Sequence, residues 1–111
     1  MLDLKEEIKK LKHNLIIVEG KNDKLALEKL GIGNIVVLNN KPLFEIVEEV
    51  SLKTREVIIL TDLDKEGKLL YHKLKSNLQK FGVKVNDSFR NFLYKNTKLR
   101  QIEGLRRYIN H

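Results

Sequence analysis

An α/β fold is predicted, with about four strands in a mostly parallel sheet and helices on both faces. Three features of the 111-residue sequence predict it. Short apolar runs alternate with longer stretches of helical periodicity. The runs are continuous, as in Leu15-Ile16-Ile17-Val18 and Ile35-Val36-Val37-Leu38, and so lack the alternation of a strand with one wet face. Each run then stops at a polar or acidic residue, which lines those residues up along one rim of the sheet.

The elements follow in order. Leu4, Ile8 and Leu11 recur at helical spacing and predict an amphipathic helix over 2–12. The first strand ends in Glu19-Gly20, and a helix from Asn22 to Leu30 follows, with Leu25, Leu27 and Leu30 inward. The second strand runs into the polar turn Asn39-Asn40-Lys41. Pro42 suits the first turn of the next helix, where its missing N–H is not needed. Leu43, Phe44, Ile46, Val47 and Val50 form that helix's apolar face. Glu56 to Thr61 is the third strand. The longest helix, Glu66 to Phe81, carries Leu70, Leu74, Leu78 and Phe81 as its stripe and stops at Gly82. Val83-Lys84-Val85 is a short edge strand. Helices over Asp87–Tyr94 and Leu99–Ile109 complete a single domain spanning 1–111, with its core at about 14–85 and basic helices over 86–111.

Composition removes several function classes. There is no cysteine, hence no disulfide framework, thiolate metal site or thiol nucleophile. The charged start lacks the apolar core of a signal peptide, and no apolar run approaches the roughly 20 residues of a membrane span. A cytoplasmic location away from membranes is the expectation. The net charge is +7, and residues 84–111 hold +5 of it through Lys84, Arg90, Lys95, Lys98, Arg100, Arg106 and Arg107. Such a concentration suits a polyanion, nucleic acid above all; the plainer account is a solvated basic face.

The rim carries the chemistry. Asp62 and Asp64 follow the third strand, and on an extended backbone they point the same way, about 6.6 Å apart. Their repulsion is about 0.6 kcal/mol in water and about 2.5 kcal/mol at an effective dielectric of 20, so a cation is wanted there. Glu19, at the end of the first strand, can converge on them, and Asp23 lies one helical turn beyond. Oxygen ligands of this kind suit Mg²⁺ or Mn²⁺ rather than zinc. Lys21 could face a phosphate. Helix capping alone explains any one of these acids. It does not explain acids at two separate strand ends.

Leu15-Ile16-Ile17-Val18-Glu19-Gly20-Lys21-Asn22-Asp23, followed by Ile58-Ile59-Leu60-Thr61-Asp62-Leu63-Asp64-Lys65-Glu66-Gly67, resembles the Toprim domain. That Rossmann-like domain is shared by topoisomerases, bacterial-type primases, OLD-type nucleases, RecR-type repair proteins and the ribonuclease that matures 5S ribosomal RNA. The Glu-Gly-Lys-x-Asp form is most similar to the primase and maturase branches. Small stand-alone, archaeal-type Toprim proteins look similar over the whole length, including the ending Ile102-Glu103-Gly104-Leu105-Arg106-Arg107-Tyr108. The resemblance implies that Glu19 is a general acid/base and a possible metal ligand, and that Asp62 and Asp64 bind Mg²⁺. It implies that Gly20 and Gly67 allow close approach, and it matches Lys21 and Asp23 to the signature without assigning them a role. The maturase-like enzymes carry a further domain for which this chain lacks room. Tyr71, Tyr94 and Tyr108 fall in predicted helices, which argues against a topoisomerase.

Three functions compete. The first is Mg²⁺-dependent phosphodiester chemistry, a nuclease-like protein acting on RNA or structured nucleic acid, structured RNA above all, with Arg90, Lys95, Lys98, Arg100, Arg106 and Arg107 tracking the backbone. The second is a module that binds nucleic acid, or docks on a larger RNA-processing or repair complex, without cutting. The third is a phospho-acceptor receiver-like domain, against which Glu19-Gly20 stands where paired acids belong. A haloacid-dehalogenase-type phosphatase also uses Asp-x-Asp, but after its first strand.

Overall fold

The structure, a computed structural model, describes residues 3–109. The predicted helix start at Leu2 therefore lies outside the described residues. Four parallel strands form one sheet in the order β2-β1-β3-β4: β1 Leu15–Val18, β2 Ile35–Val37, β3 Glu56–Leu60 and β4 Lys84–Val85. Every side chain of β1 is buried, as its unbroken apolar run requires. Alternate residues serve opposite faces. Ile16 and Val18 pack with Ile58 and Leu60 under α1 (Leu4–Leu11), α2 (Lys21–Glu28), α5 (Ser88–Asn96) and α6 (Leu105–Ile109). Leu15 and Ile17 pack with Val57 and Ile59 under α3 (Leu43–Lys53) and α4 (Lys65–Lys80). Helices cover both faces, as expected.

Three apolar residues expected inside are exposed: Leu25, Phe44 and Phe81. In α2 the inward arc is Asp23, Ala26 and Leu27, at i, i+3 and i+4, and this turns Leu25 outward. Leu43, Ile46, Val47 and Val50 make the same arc in α3, beside which Phe44 points to solvent. Phe81 sits past the last turn of α4, where Gly82 at φ +77° ends the helix.

The predicted last helix is also different. Residues 99–101 are not helical, a 3₁₀ turn spans Ile102–Gly104, and only Leu105–Ile109 is α-helical. The cause is pairing across the chain. The Arg100 carbonyl accepts from Leu63 N–H at 2.7 Å, and Ile102 N–H donates to Asp62 Oδ1 at 2.9 Å. Backbone groups that a helix would satisfy internally are tied to the loop after β3.

The chain passes from β1 to β2 on one side, then crosses to β3 on the other. Strand order therefore reverses between β1 and β3. In open α/β sheets the crevice outside the carboxyl ends at such a point is where ligands bind. Val18 pairs with Leu60, so Glu19 and Thr61 leave the sheet at the same level.

Candidate functional site

Glu19, Gly20, Lys21, Asp23 and Asp62 line a cleft of about 420 Å³ at this reversal, together with Asn22, Asn39, Asn40, Gln101 and Glu103. Asp62 N–H donates to Glu19 Oε1 at 3.3 Å, joining the two strand ends. Asp62 Oδ1 is held by Ile102 N–H. Asp23 Oδ2 accepts from Gly20 N–H at 3.0 Å, which fixes its carboxylate over the first turn of α2. Asn39 and Asn40, at φ +47° and +60°, adopt the left-handed conformation that asparagine tolerates. Asn39 N–H donates to the Glu19 carbonyl at 3.0 Å, so β2's end is fastened to β1's.

Three carboxyls here sit above their ordinary pKa range. Burial raises Glu19 first, and the negative charge of Asp62 adds to it. Burial likewise raises Asp23 and Asp62. Glu103 adds repulsion to both, while Arg90 pulls Asp62 the other way. The cleft thus concentrates negative charge that solvent does not fully relieve.

Asp64 stays near enough for its charge to raise both Glu19 and Asp62, but it is placed differently. It is exposed, does not line the cleft, and caps α4 by accepting from Gly67 N–H at 2.8 Å. Among the described residues, no three His, Cys, Asp or Glu side chains form a ready metal cage. Gly67 is required by space: an added Cβ would lie 1.9 Å from the Asp62 carbonyl oxygen. Its own carbonyl accepts from Thr61 Oγ1 at 2.7 Å. Gly20 is not crowded by the protein, since an added Cβ would meet nothing nearer than Asp23 Oδ2 at 3.9 Å.

Arg90 requires a correction. Expected among the surface cations, it is 6% exposed. Its guanidinium donates to the carbonyls of Thr61 at 2.7 Å and Asp62 at 3.0 Å, with a longer contact to Ile59 at 3.5 Å. It also stacks 4.5 Å from the Tyr71 ring. Five donors in a planar fork match a strand end whose carbonyls have no further strand to pair with. Burial lowers its pKa, yet the charge remains and lies under the acidic cleft. Of the other basic residues, Arg106 and Arg107 line a groove adjoining the cleft. Arg100 folds back onto the carbonyls of Leu99 at 2.8 Å and Thr97 at 3.5 Å, beside Tyr94. Lys95 and Lys98 are exposed and line neither concavity.

Sequence reasoning missed the C-terminal wall. Gln101 and Glu103 complete the cleft, and Ile102 orients Asp62 through its backbone. The motif ending Glu103-Gly104-Leu105-Arg106-Arg107 was the available signal, but nothing in its spacing locates it beside Asp23.

A parallel sheet with carboxylates at its strand reversal defines a class, and comparison with known proteins agrees. The Toprim domain family matches residues 13–87, and the chain belongs to that family. It is 38% identical to a UPF0292 protein of Methanocaldococcus jannaschii, over 99% of this chain and 90% of that one. A UPF0292 protein of Thermoplasma volcanium is 41% identical over 81% of this chain and 77% of its own. Among solved structures, a putative protein from Aquifex aeolicus superimposes with a TM-score of 0.86 at 40% identity, covering 93% of this chain and 98% of that one. The Aquifex aeolicus primase (zinc-binding and RNA polymerase domains) gives a TM-score of 0.59 at 30% identity, over 97% of this chain but 28% of the primase.

Proposed function

We propose that this Toprim protein carries out divalent-metal-dependent chemistry on nucleic-acid phosphodiesters, as a nuclease-like protein acting on structured RNA. The observation that carries the reading is the meeting of Glu19 and Asp62 across the strand reversal, in a cleft where burial raises both carboxyls, with the charge of Asp62 adding to Glu19 and those of Asp64 and Glu103 adding to Asp62. The Toprim family and the likeness to a primase support a nucleic-acid substrate.

A hard divalent cation fits this donor set: the acids are oxygen-only and crowded, and the Arg90 guanidinium beneath them is taken up by the Thr61 and Asp62 carbonyls. Glu19 and Asp62 would hold it, with Asp23 close by. Mg²⁺ is typically bound through one or two carboxylates plus substrate phosphates, so a three-acid cage is not required. When bound, Mg²⁺ or Mn²⁺ supplies charge neutralisation at a phosphate oxygen.

The chain's own groups have distinct tasks. Glu19 keeps Oε1 on Asp62 N–H, leaving its other oxygen to take up and return a proton. Ile102 N–H and the Arg90 guanidinium hold Asp62 by side chain and by carbonyl. Lys21, exposed on the lip of the cleft, offers charge to a phosphate.

Glu19→Gln and Asp62→Asn each preserve the accepting oxygen of these hydrogen bonds. Either variant is expected to abolish Mg²⁺-dependent cleavage of structured RNA with its circular dichroism unchanged; full activity in either contradicts the reading. The capping role of Asp64 favours a second reading, a module that binds nucleic acid or an RNA-processing or repair complex without cutting. Binding with no cleavage in Mg²⁺ and Mn²⁺ would select it. Toprim membership sets aside the receiver-like alternative.

A further inference from the structure

A second concavity adjoins the cleft. A groove of about 690 Å³ runs between α2 and the segment formed by the 3₁₀ turn and α6. It shares Asn22, Gln101 and Glu103 with the carboxylate cleft, so the two adjoin along these residues. Past Glu103 the charge changes sign. Lys29, Arg106 and Arg107 line the groove, and Glu103 is the one acid among its lining residues. All three cations are exposed, and none takes part in an ion pair among the described residues. Leu25, 43% exposed on α2, gives the same groove an apolar patch.

A concavity that is anionic at one end and cationic along its length matches a ligand with one bond at the acids and a charged chain leading away. The groove's volume is that of a small-molecule site, which admits one strand rather than a duplex. We infer that a single strand of nucleic acid leaves the carboxylate cleft along this groove. Its phosphates lie against Lys29, Arg106 and Arg107, and its sugars or bases against Leu25. This deepens the proposed function and rests on it, and it assigns the track to α2 and α6 rather than to the whole basic C-terminal quarter.

Binding of a labelled single strand in EDTA, titrated with salt, tests the track apart from metal and cleavage. The groove variant Lys29→Ala/Arg106→Ala/Arg107→Ala is compared with a charge-matched variant, Lys73→Ala/Lys95→Ala/Lys98→Ala. The slope of log affinity against log salt should flatten by about 2 in the groove variant, at about 0.7 for each single-strand phosphate no longer neutralised. The comparator should flatten by less than half as much. Lys29→Arg/Arg106→Lys/Arg107→Lys should keep the wild-type slope, which separates lost charge from lost folding. Equal flattening in both alanine variants, or none in the groove variant, overturns the track while the nucleic-acid reading stands. A wild-type protein that binds no nucleic acid in EDTA overturns the track, and one that also binds none in Mg²⁺ overturns both.

Discussion

Glu19, Asp23 and Asp62 are raised in the folded chain, so the native state binds more protons than the unfolded one. Their contribution to stability is therefore present below the ordinary values of 4.5 and 3.8, and is lost as pH rises through the raised values. At neutral pH without metal the cluster costs stability. In EDTA at pH 7.5, Asp62→Asn should melt higher than wild type, and the advantage should vanish near pH 4. A lower melting point at pH 7.5 would show that the cluster is not strained. Arg90 works the other way. Arg90→Met would strip the Thr61 and Asp62 carbonyls, one buried and one half-buried, of these donors, at about 1–3 kcal/mol each. Urea unfolding should show a loss of about 3 kcal/mol, and a loss below about 1 kcal/mol would contradict its role. Composition made Arg90 a surface cation, yet helical spacing held the corrective signal. Phe89, Phe92 and Leu93 turn inward in α5, and Arg90 lies on the same arc.

At the scale of elements, the strand-to-helix turn after β3 depends on Gly67. In an exposed helix, Gly→Ala usually stabilises by about 1 kcal/mol. Here the added Cβ would overlap the Asp62 carbonyl. Gly67→Ala should thus be destabilising, read as a lower urea midpoint; a neutral or stabilising result would show that the turn can yield. The sheet and its buried strands were legible because runs such as Leu15–Val18 fit a strand covered on both faces. The end of the chain was not. Leu99–Ile109 has helical apolar spacing, but the backbone of Arg100 and Ile102 pairs with Leu63 and Asp62. Local pattern carries no trace of a partner so distant in sequence. For the same reason Asp62 and Asp64, equivalent on paper, are placed differently: one lines the cleft, and the other caps α4 with its charge still felt by Glu19 and Asp62.

Taken as a whole, the molecule sets two helical layers on a parallel sheet, so that the ends of β1 and β3 emerge side by side between oppositely directed crossovers. That topology joins Glu19 to Asp62 across 43 residues of sequence. The C-terminal segment then closes the cleft and sets a basic groove against it. No helix among the described residues is long and apolar enough to cross a membrane. The central claim is that Glu19 and Asp62 together hold a divalent cation. Mn²⁺ binding, followed by electron paramagnetic resonance of the free ion, tests it most directly. The wild-type chain should take up Mn²⁺ at one site that Mg²⁺ displaces, uptake should weaken as acid protonates the raised carboxyls, and both Glu19→Gln and Asp62→Asn should lose it. Undiminished uptake in both variants, or none in the wild type at millimolar metal, would contradict the account.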